Sequence, residues 1–533
     1  MKRRLFALAG WLALLAAPAA MADRVPQVHA FTGVRIVVAP GQVIESGTLV
    51  VRDGRIEAVG ANVTIPADAR VYQLEKTTLY PGLIETYRPI GWPSSDQEAP
   101  APAAHPNALI RPERDATTIA GSETELTKLR EAGFTTALFA PAKGILRGES
   151  VLLELGGGGL AANLLRRHVA QNAALDLSGG RGEGYPASIM GSVALLRQTL
   201  SDARWQLDAL AAYSKKPNQR RPPYSPVLET LAAAVSGKQK VFLESKDVLD
   251  TLRLAGLAKE FGLDAVLVAS GEEYKRLGAV AATGYPLIVP LDFPKAPQIG
   301  DQDDLTVDLA TLRNWDAAPG NPKALADAKV KFTFTATGLS EPRKLHEMLA
   351  QAIERGLTAD QALAAFTTEP ARLLGIAERV GTLEVGKAAN LIVANGNLFT
   401  KETKISAVFV DGIRFEIKEN KKPTVEPAGE WSLTVNAGGQ VIPMSLKLVG
   451  KAESLTGTLS GPAGPMPLQS AETSGDTVEI RFDASPLGMP GTVTFTLKIT
   501  GNSASGSGTS PRGAFTLSGD RTSTPPSQPE VAR

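Results

Sequence analysis

Between about Leu79 and Gly375, short apolar runs of strand character alternate with longer runs of helical character. This alternation constrains the fold more than any other feature of the chain. The strand candidates include Thr135–Phe139, Val151–Leu155, Val241–Glu244, Ala265–Ala269, Leu287–Leu291 and Lys331–Thr335. The helix candidates include Glu123–Ala132, Ala187–Tyr213, Lys246–Phe261 and Glu341–Arg355. Repeated strand–helix units need crossover connections, which put neighbouring strands parallel and bury the sheet between helices. A stretch of this length suits a closed barrel better than an open sheet.

The flanks read differently. Val34–Val38, Gly47–Val51, Arg55–Val59 and Arg70–Leu74 are short strands, and Arg52-Asp53-Gly54-Arg55 carries the Asp-Gly signal of a tight hairpin. Strand-like runs return at Ala389–Ala394 and Ser406–Val410, where Val410-Asp411-Gly412 repeats the hairpin signal. The expected organisation is a composite β-sandwich from residues 23–82 and 380–425 around a barrel over 83–379. From Gly429 to Asp520, Thr/Val/Leu strands between Gly and Pro turns predict a separate all-β domain over 428–520, a barrel or a sandwich. Residues 521–533, rich in Ser, Thr and Pro, read as a disordered tail. At the other end, Lys2, Arg3 and Arg4 precede an apolar run from Leu5 to Ala16 and the small residues of Ala20-Met21-Ala22. Residues 1–22 therefore read as a signal peptide, for an exported bacterial protein of the periplasm or exterior with no membrane span after cleavage.

Composition removes several function classes. The 533 residues hold 56 basic and 55 acidic side chains, which leaves no electrostatic footprint for nucleic acid. The absence of cysteine excludes disulfides, thiolate metal sites and cysteine nucleophiles. Only four histidines exist, His29, His105, His168 and His346, and each reads as a surface or loop residue. The glycine run Gly156–Gly159 lacks the Gly-Lys-Ser/Thr of a phosphate loop and reads as a flexible loop, and neither Gly148-Glu149-Ser150 nor Ala269–Glu272 completes a nucleophile elbow.

Two segments about 300 residues apart carry a family resemblance. VRDGRIEAVGANVTIPADARVYQLEKTTLYPGLIETYRP (51–89) and TTEPARLLGIAERVGTLEVGKAANLIVANGNLF (367–399) resemble the entry to and exit from the barrel of the amidohydrolase superfamily, in particular its imidazolonepropionase-like branch. YPASIMGSVALLRQTLSDARW (185–205) and PLDFPKAP (290–297) resemble an exported, metal-site-poor subgroup of that branch. The resemblance implies an α/β fold, a distorted TIM-type (β/α)8 barrel beside a composite β-sandwich, with the all-β domain appended. It also implies hydrolysis at one or two divalent metals, usually zinc, which activate water and polarise the scissile bond.

The family's metal ligands do not carry over. Its His-x-His pair at the end of the first barrel strand falls on Tyr87 and Pro89, its later histidines on Glu244 and Ser270, and its aspartate on Thr337. No cofactor is expected. The carboxylates Glu85, Glu244, Glu273 and Asp292 lie at or near strand ends, where barrel sites are built, and with Tyr87 they are the catalytic candidates. They could hold an oxygen-ligated ion, perform metal-free acid–base chemistry, or fill a vestigial pocket through ion pairs with Arg197, Lys246 or Lys295. Arg197, Ser270 and Thr337 are the pocket candidates. The preferred reading is a non-catalytic binding or assembly partner, of an intact amidohydrolase or of a second copy, with a small-molecule ligand possible. The alternative is a working hydrolase of non-peptide, cyclic amide C–N bonds with a rearranged carboxylate site. A third reading gives the all-β domain a carbohydrate- or envelope-binding role with Trp431 as stacking platform.

Overall fold

The structure, a computed structural model, describes residues 28–74, 76–92, 105–177, 184–297, 307–417, 423–437, 440–452, 454–462, 464–485, 492–510 and 513–523. Residues 1–22, read above as a signal peptide, and residues 524–533 lie outside them. Two compact units divide at Ile417 and Lys418.

In the first unit, both flanks of the chain build one mixed eight-stranded sheet. Its order is Ile413–Glu416, Ile405–Val410, Leu391–Asn395, Thr77–Pro81, Val28–Ala39, Gln42–Arg52 and Arg55–Gly60, with Arg70–Gln73 also paired to Val28–Ala39. Hydrogen bonding makes this a continuous sheet, where two facing sheets were expected. The rings of Phe31 and Phe409 nevertheless meet edge-on at 5.1 Å although two strands intervene between theirs. Flat strands about 4.8 Å apart would hold them far beyond contact, so the sheet curls over its own core. That core includes Phe31, Ile36, Leu49, Leu79, Leu391 and Phe409.

The two Asp-Gly turns fasten the flanks together. Asp53 and Gly54 have φ of 49° and 79°, and Asp411 and Gly412 have 49° and 77°, the left-handed pairs that tight hairpins require. A Cβ on Gly412 would come within 2.8 Å of the Gly54 Cα, so both turns need glycine to pack against each other. Ala389 N donates to Gly54 O at 2.7 Å and Gly412 N to Ala389 O at 3.2 Å, which closes the joint.

Between the flanks, strands Leu83–Ile90 and Phe134–Pro141 run parallel, as do Ala170–Ala174, Lys240–Glu244, Ala265–Val268, Leu287–Pro290 and Phe332–Thr335 in a second sheet. The regular eightfold repeat of a TIM barrel is interrupted: Val151–Glu154 pairs antiparallel with Phe134–Pro141, and Leu146–Glu149 antiparallel with Ala170–Ala174. Helices pack around these strands. Val248–Phe261 begins where Asp247 Oδ1 accepts from Asp250 N at 2.8 Å, ends at left-handed Gly262, and buries Leu254, Ala258 and Phe261. The loop Gly156–Gly159 is tied down by Asn163, whose Nδ2 donates to the carbonyls of Gly156, Gly157 and Gly159 at 3.1, 3.2 and 2.8 Å.

The second unit is a closed antiparallel barrel of eight strands, Gly429–Ala437, Gln440–Lys451, Ser454–Gly461, Gly464–Ser474, Thr477–Asp483, Thr492–Thr500, Ser503–Ser510 and Gly513–Ser523. The first strand pairs with the last, so closure removes both sheet edges. Arg521–Ser523, expected in a disordered tail, continue the last strand. Trp431 is buried in the barrel: its Nε1 donates to Pro427 O at 2.9 Å and the Arg521 guanidinium lies 4.5 Å over its ring. It is a packing residue and cannot serve as an exposed sugar platform. Among the described residues, no helix is long and apolar enough to cross a membrane.

Two histidines depart from the surface reading. His29 is half-buried on Val28–Ala39. His346, on helix Leu345–Glu354, is buried, with Nε2 3.0 Å from Ala132 O and its ring stacked on Phe399. Burial lowers its pKa to about 4. A base lowered in the folded state must lose its proton to fold, so stability is complete above the free imidazole value of 6.5 and declines as pH falls from there toward 4. Urea unfolding of the full chain is expected to show this decline, up to roughly 3 kcal/mol from this residue. In His346→Gln, which keeps a donor but does not titrate, the slope between pH 6.5 and 4.5 is expected to flatten.

Candidate active site

Tyr87 is the side chain around which the strand ends gather. On strand Leu83–Ile90 the register against Phe134–Pro141 slips between Glu85 and Arg88, so the strand bulges there, a device that re-aims side chains. The fully buried Tyr87 hydroxyl donates to Glu244 Oε2 at 2.7 Å, at the end of Lys240–Glu244. Its main-chain carbonyl accepts from Thr335 Oγ1 at 2.8 Å and Thr337 Oγ1 at 2.5 Å. Thr86 Oγ1 returns a bond to Phe334 O at 3.0 Å. These hydroxyls form the seam between Leu83–Ile90 and Phe332–Thr335.

Glu85 belongs to the same seam. One carboxylate oxygen accepts from Tyr87 N at 3.1 Å and the other from Ala336 N at 2.9 Å. Burial raises its pKa against the opposing effect of those bonds and of Thr335.

The centre of the arrangement is Arg147, on the antiparallel strand Leu146–Glu149. Its Nε donates to Gly144 O at 3.1 Å. Nη1 donates to Glu244 Oε2 at 2.7 Å and to the Tyr87 oxygen at 3.3 Å. Nη2 donates to Asp176 Oδ2 at 3.0 Å and Glu244 Oε1 at 3.4 Å. All five guanidinium N–H groups thus have acceptors. Asp176 Oδ2 also accepts from Gly144 N at 3.0 Å, and its Oδ1 pairs with Lys246 Nζ at 3.0 Å. Burial works to raise the Asp176 pKa, but Arg147, Lys246 and the Gly144 N–H overcome it and hold the carboxylate below its usual range. Burial, followed by the charge of Glu244, pushes the Tyr87 phenol well above its ordinary value, so it remains a donor.

The other candidates stand apart. Glu273 is buried, but its oxygens cap its own turn, accepting from Ser270 N at 2.8 Å, Ser270 Oγ at 3.0 Å and Gly271 N at 3.1 Å, and from Asn321 Nδ2 at 2.7 Å. Ser270 is thereby committed to that turn. Arg197 is a surface residue paired with Glu260 at 2.9 Å. Asp292 lines a separate cleft of about 780 Å³ with Lys295, Trp315, Lys344, Arg355 and Lys401, and burial raises its pKa against the pull of Lys295. The structure therefore gathers Glu85, Tyr87, Glu244 and Thr337, places Asp292 against Gly338 next to Thr337, and leaves Glu273, Ser270 and Arg197 elsewhere. Among the described residues, no three His, Asp or Glu side chains come together to hold a metal ion.

Sequence reasoning missed Arg147 and Asp176. Asp176 follows strand Ala170–Ala174 and meets the strand-end criterion that selected Glu244. Arg147 sits on a strand that breaks the parallel pattern, and nothing in its neighbourhood marks it.

Residues 320–417 match the Amidohydrolase family. An amidohydrolase structure from Thermotoga maritima MSB8 superposes with a TM-score of 0.59 at 18% identity, covering 73% of this chain and 99% of that one. The fold is of the amidohydrolase type. Phenylurea hydrolase B aligns at 16% identity and TM-score 0.44 over 73% of this chain and 97% of its own. A prolidase complexed with N-methylphosphonate-L-proline aligns at 14% and 0.42 over 73% and 100%. No curated protein matches the chain by sequence.

Replacing Arg147 by Met leaves Glu244 and Asp176 facing each other without their shared cation. The expected loss at pH 7 is roughly 3 kcal/mol, since breaking a mostly buried pair leaves uncompensated charge. Asp176, held below its usual range, contributes stability above the ordinary carboxylate pKa and loses it as pH falls through the depressed value. The gap between Arg147→Met and wild type is therefore expected to narrow from pH 7 to pH 3, read by urea unfolding at each pH.

Proposed function

We propose that this amidohydrolase-type unit has exchanged the family's metal centre for an ion-paired one and works as a non-catalytic binding or assembly protein. One observation carries the reading: Arg147 spends all five N–H groups on Gly144, Tyr87, Glu244 and Asp176. The donors present do not fit a divalent ion. Glu244 and Asp176 are balanced by Arg147 and Lys246, so an ion would have to displace a buried guanidinium, and both Glu85 oxygens already accept main-chain N–H bonds. Water activation at this place would also need a free base, and the carboxylates nearest Tyr87 are held as acceptors for donors that stay protonated.

The basic start and apolar run of residues 1–22 support export.

The test is elemental analysis of the full-length protein after dialysis against trace zinc and manganese, with the Arg147→Ala variant in parallel. Wild type is expected to retain less than about 0.1 metal per chain and to leave cyclic amides and dipeptides unhydrolysed above the background rate. A wild-type content near one ion per chain, or hydrolysis lost on Glu244→Gln, would overturn the proposal in favour of a rearranged hydrolase.

A further inference from the structure

The described residues of the C-terminal barrel pack closely at one end and line a cavity toward the other. Along strand Gly429–Ala437 alternate residues point inward, and they are Trp431, Leu433, Val435 and Ala437. Their size falls steadily along the strand. At the broad end, Trp431 fills the interior and Arg521 covers its ring. Toward the narrow side chains the interior keeps a cavity of about 220 Å³. Its wall includes Met444, Leu459, Phe482, Val493, Phe495 and Phe515.

Three properties of this cavity point to a ligand. First, among the described residues no Lys, Arg, Asp or Glu side chain lines it; the polar side chains of that lining are Gln440 and Ser510. Second, it communicates with solvent: Ile442, Met444 and Phe515 on its wall are partly exposed, and Gly513 and Ala514 are exposed. Third, it is large. Protein interiors are packed to the density of organic crystals, and an eight-stranded barrel either fills its interior with side chains or holds one small ligand. An apolar void this size leaves the dispersion contacts of its wall unmade, a loss that an occupant of matching chemistry restores.

We infer that the C-terminal barrel binds one neutral, largely hydrocarbon small molecule of roughly 10–12 non-hydrogen atoms, sized to the cavity at interior packing density. Its apolar body lies against Phe482, Phe495 and Phe515, and a hydroxyl or similar group can reach Gln440 or Ser510. A carboxylate is disfavoured, because no cation among the described lining residues offsets its desolvation.

The experiment uses the full chain and 1-aminonaphthalene, whose emission rises and shifts to the blue in apolar surroundings. Saturable binding at one probe per chain is expected, with displacement by n-decanol and at least tenfold weaker displacement by decanoate. Met444→Trp, which fills the cavity from its wall, is expected to weaken probe binding at least tenfold. Ala437→Trp, at the end of strand Gly429–Ala437 on its inward phase and in the cavity lining, gives the same readout in a variant that leaves Met444 and the phenylalanines of the wall unchanged. Absence of saturable binding, or binding unchanged in both variants, overturns the inference. Equal displacement by decanol and decanoate overturns its assignment of a neutral ligand.

Discussion

The strand ends of the amidohydrolase-type unit depend on one buried cation. Taking a guanidinium out of water is costly, and its neighbours offset that only if every donor finds an acceptor in good geometry. Arg147 meets the condition in full, and in doing so it ties the strand carrying Tyr87, the strand ending in Glu244 and the loop carrying Asp176 to its own turn at Gly144. Lys246 completes the balance, two cations against two carboxylates. The arrangement is neutral as a whole, which is the condition under which charge is tolerated in a poorly solvated place. It also fixes the proton on Tyr87, because a phenolate beside Glu244 would add a third negative charge.

Much of the frame was legible because its signals are local. The two Asp-Gly turns need positive φ at successive residues, and few dipeptides supply that, so residues 52–55 and 410–413 could be read from sequence. Helix Val248–Phe261 carries its cap at Asp247 and its stop at Gly262, and both are written beside its apolar stripe. The curl of the flanking sheet was not legible. It depends on Phe31 and Phe409, 378 positions apart in the chain, and no periodicity within either strand records their meeting. The antiparallel strands Leu146–Glu149 and Val151–Glu154 were hidden for a related reason: short buried runs look alike whichever way they pair.

At the site, alternation along Leu83–Ile90 placed Glu85 and Tyr87 on the barrel mouth, and strand ends located Glu244. Partnership was what the sequence concealed. Glu244 and Glu273 are equivalent as strand-end carboxylates, yet one meets a guanidinium from a distant strand and the other closes a four-residue turn. A carboxylate preceded within three residues by Ser-Gly can satisfy itself locally, and Glu273 just after Ser270-Gly271 is such a case. His346 shows the converse error. Its basic neighbours suggested solvent, but helix Leu345–Glu354 turns it inward onto Phe399 while leaving Lys344 exposed.

The seam between Leu83–Ile90 and Phe332–Thr335 is held largely by bonds that do not depend on the side chains at the mouth. Thr335 and Thr337 bond to the main-chain carbonyl of Tyr87, and Thr86 bonds to that of Phe334, so these contacts are indifferent to the side chain at position 87. The hairpin joint at Gly54 and Gly412 is likewise made from main-chain atoms. Side chains at the mouth are therefore constrained by charge satisfaction and not by the architecture that presents them. The tyrosine–arginine–carboxylate cluster satisfies that requirement here, two carboxylates against two cations. The segments with a family resemblance lie in the frame, at residues 51–89 and 367–399, so the resemblance reports how the strands are held and is silent on the chemistry held between them.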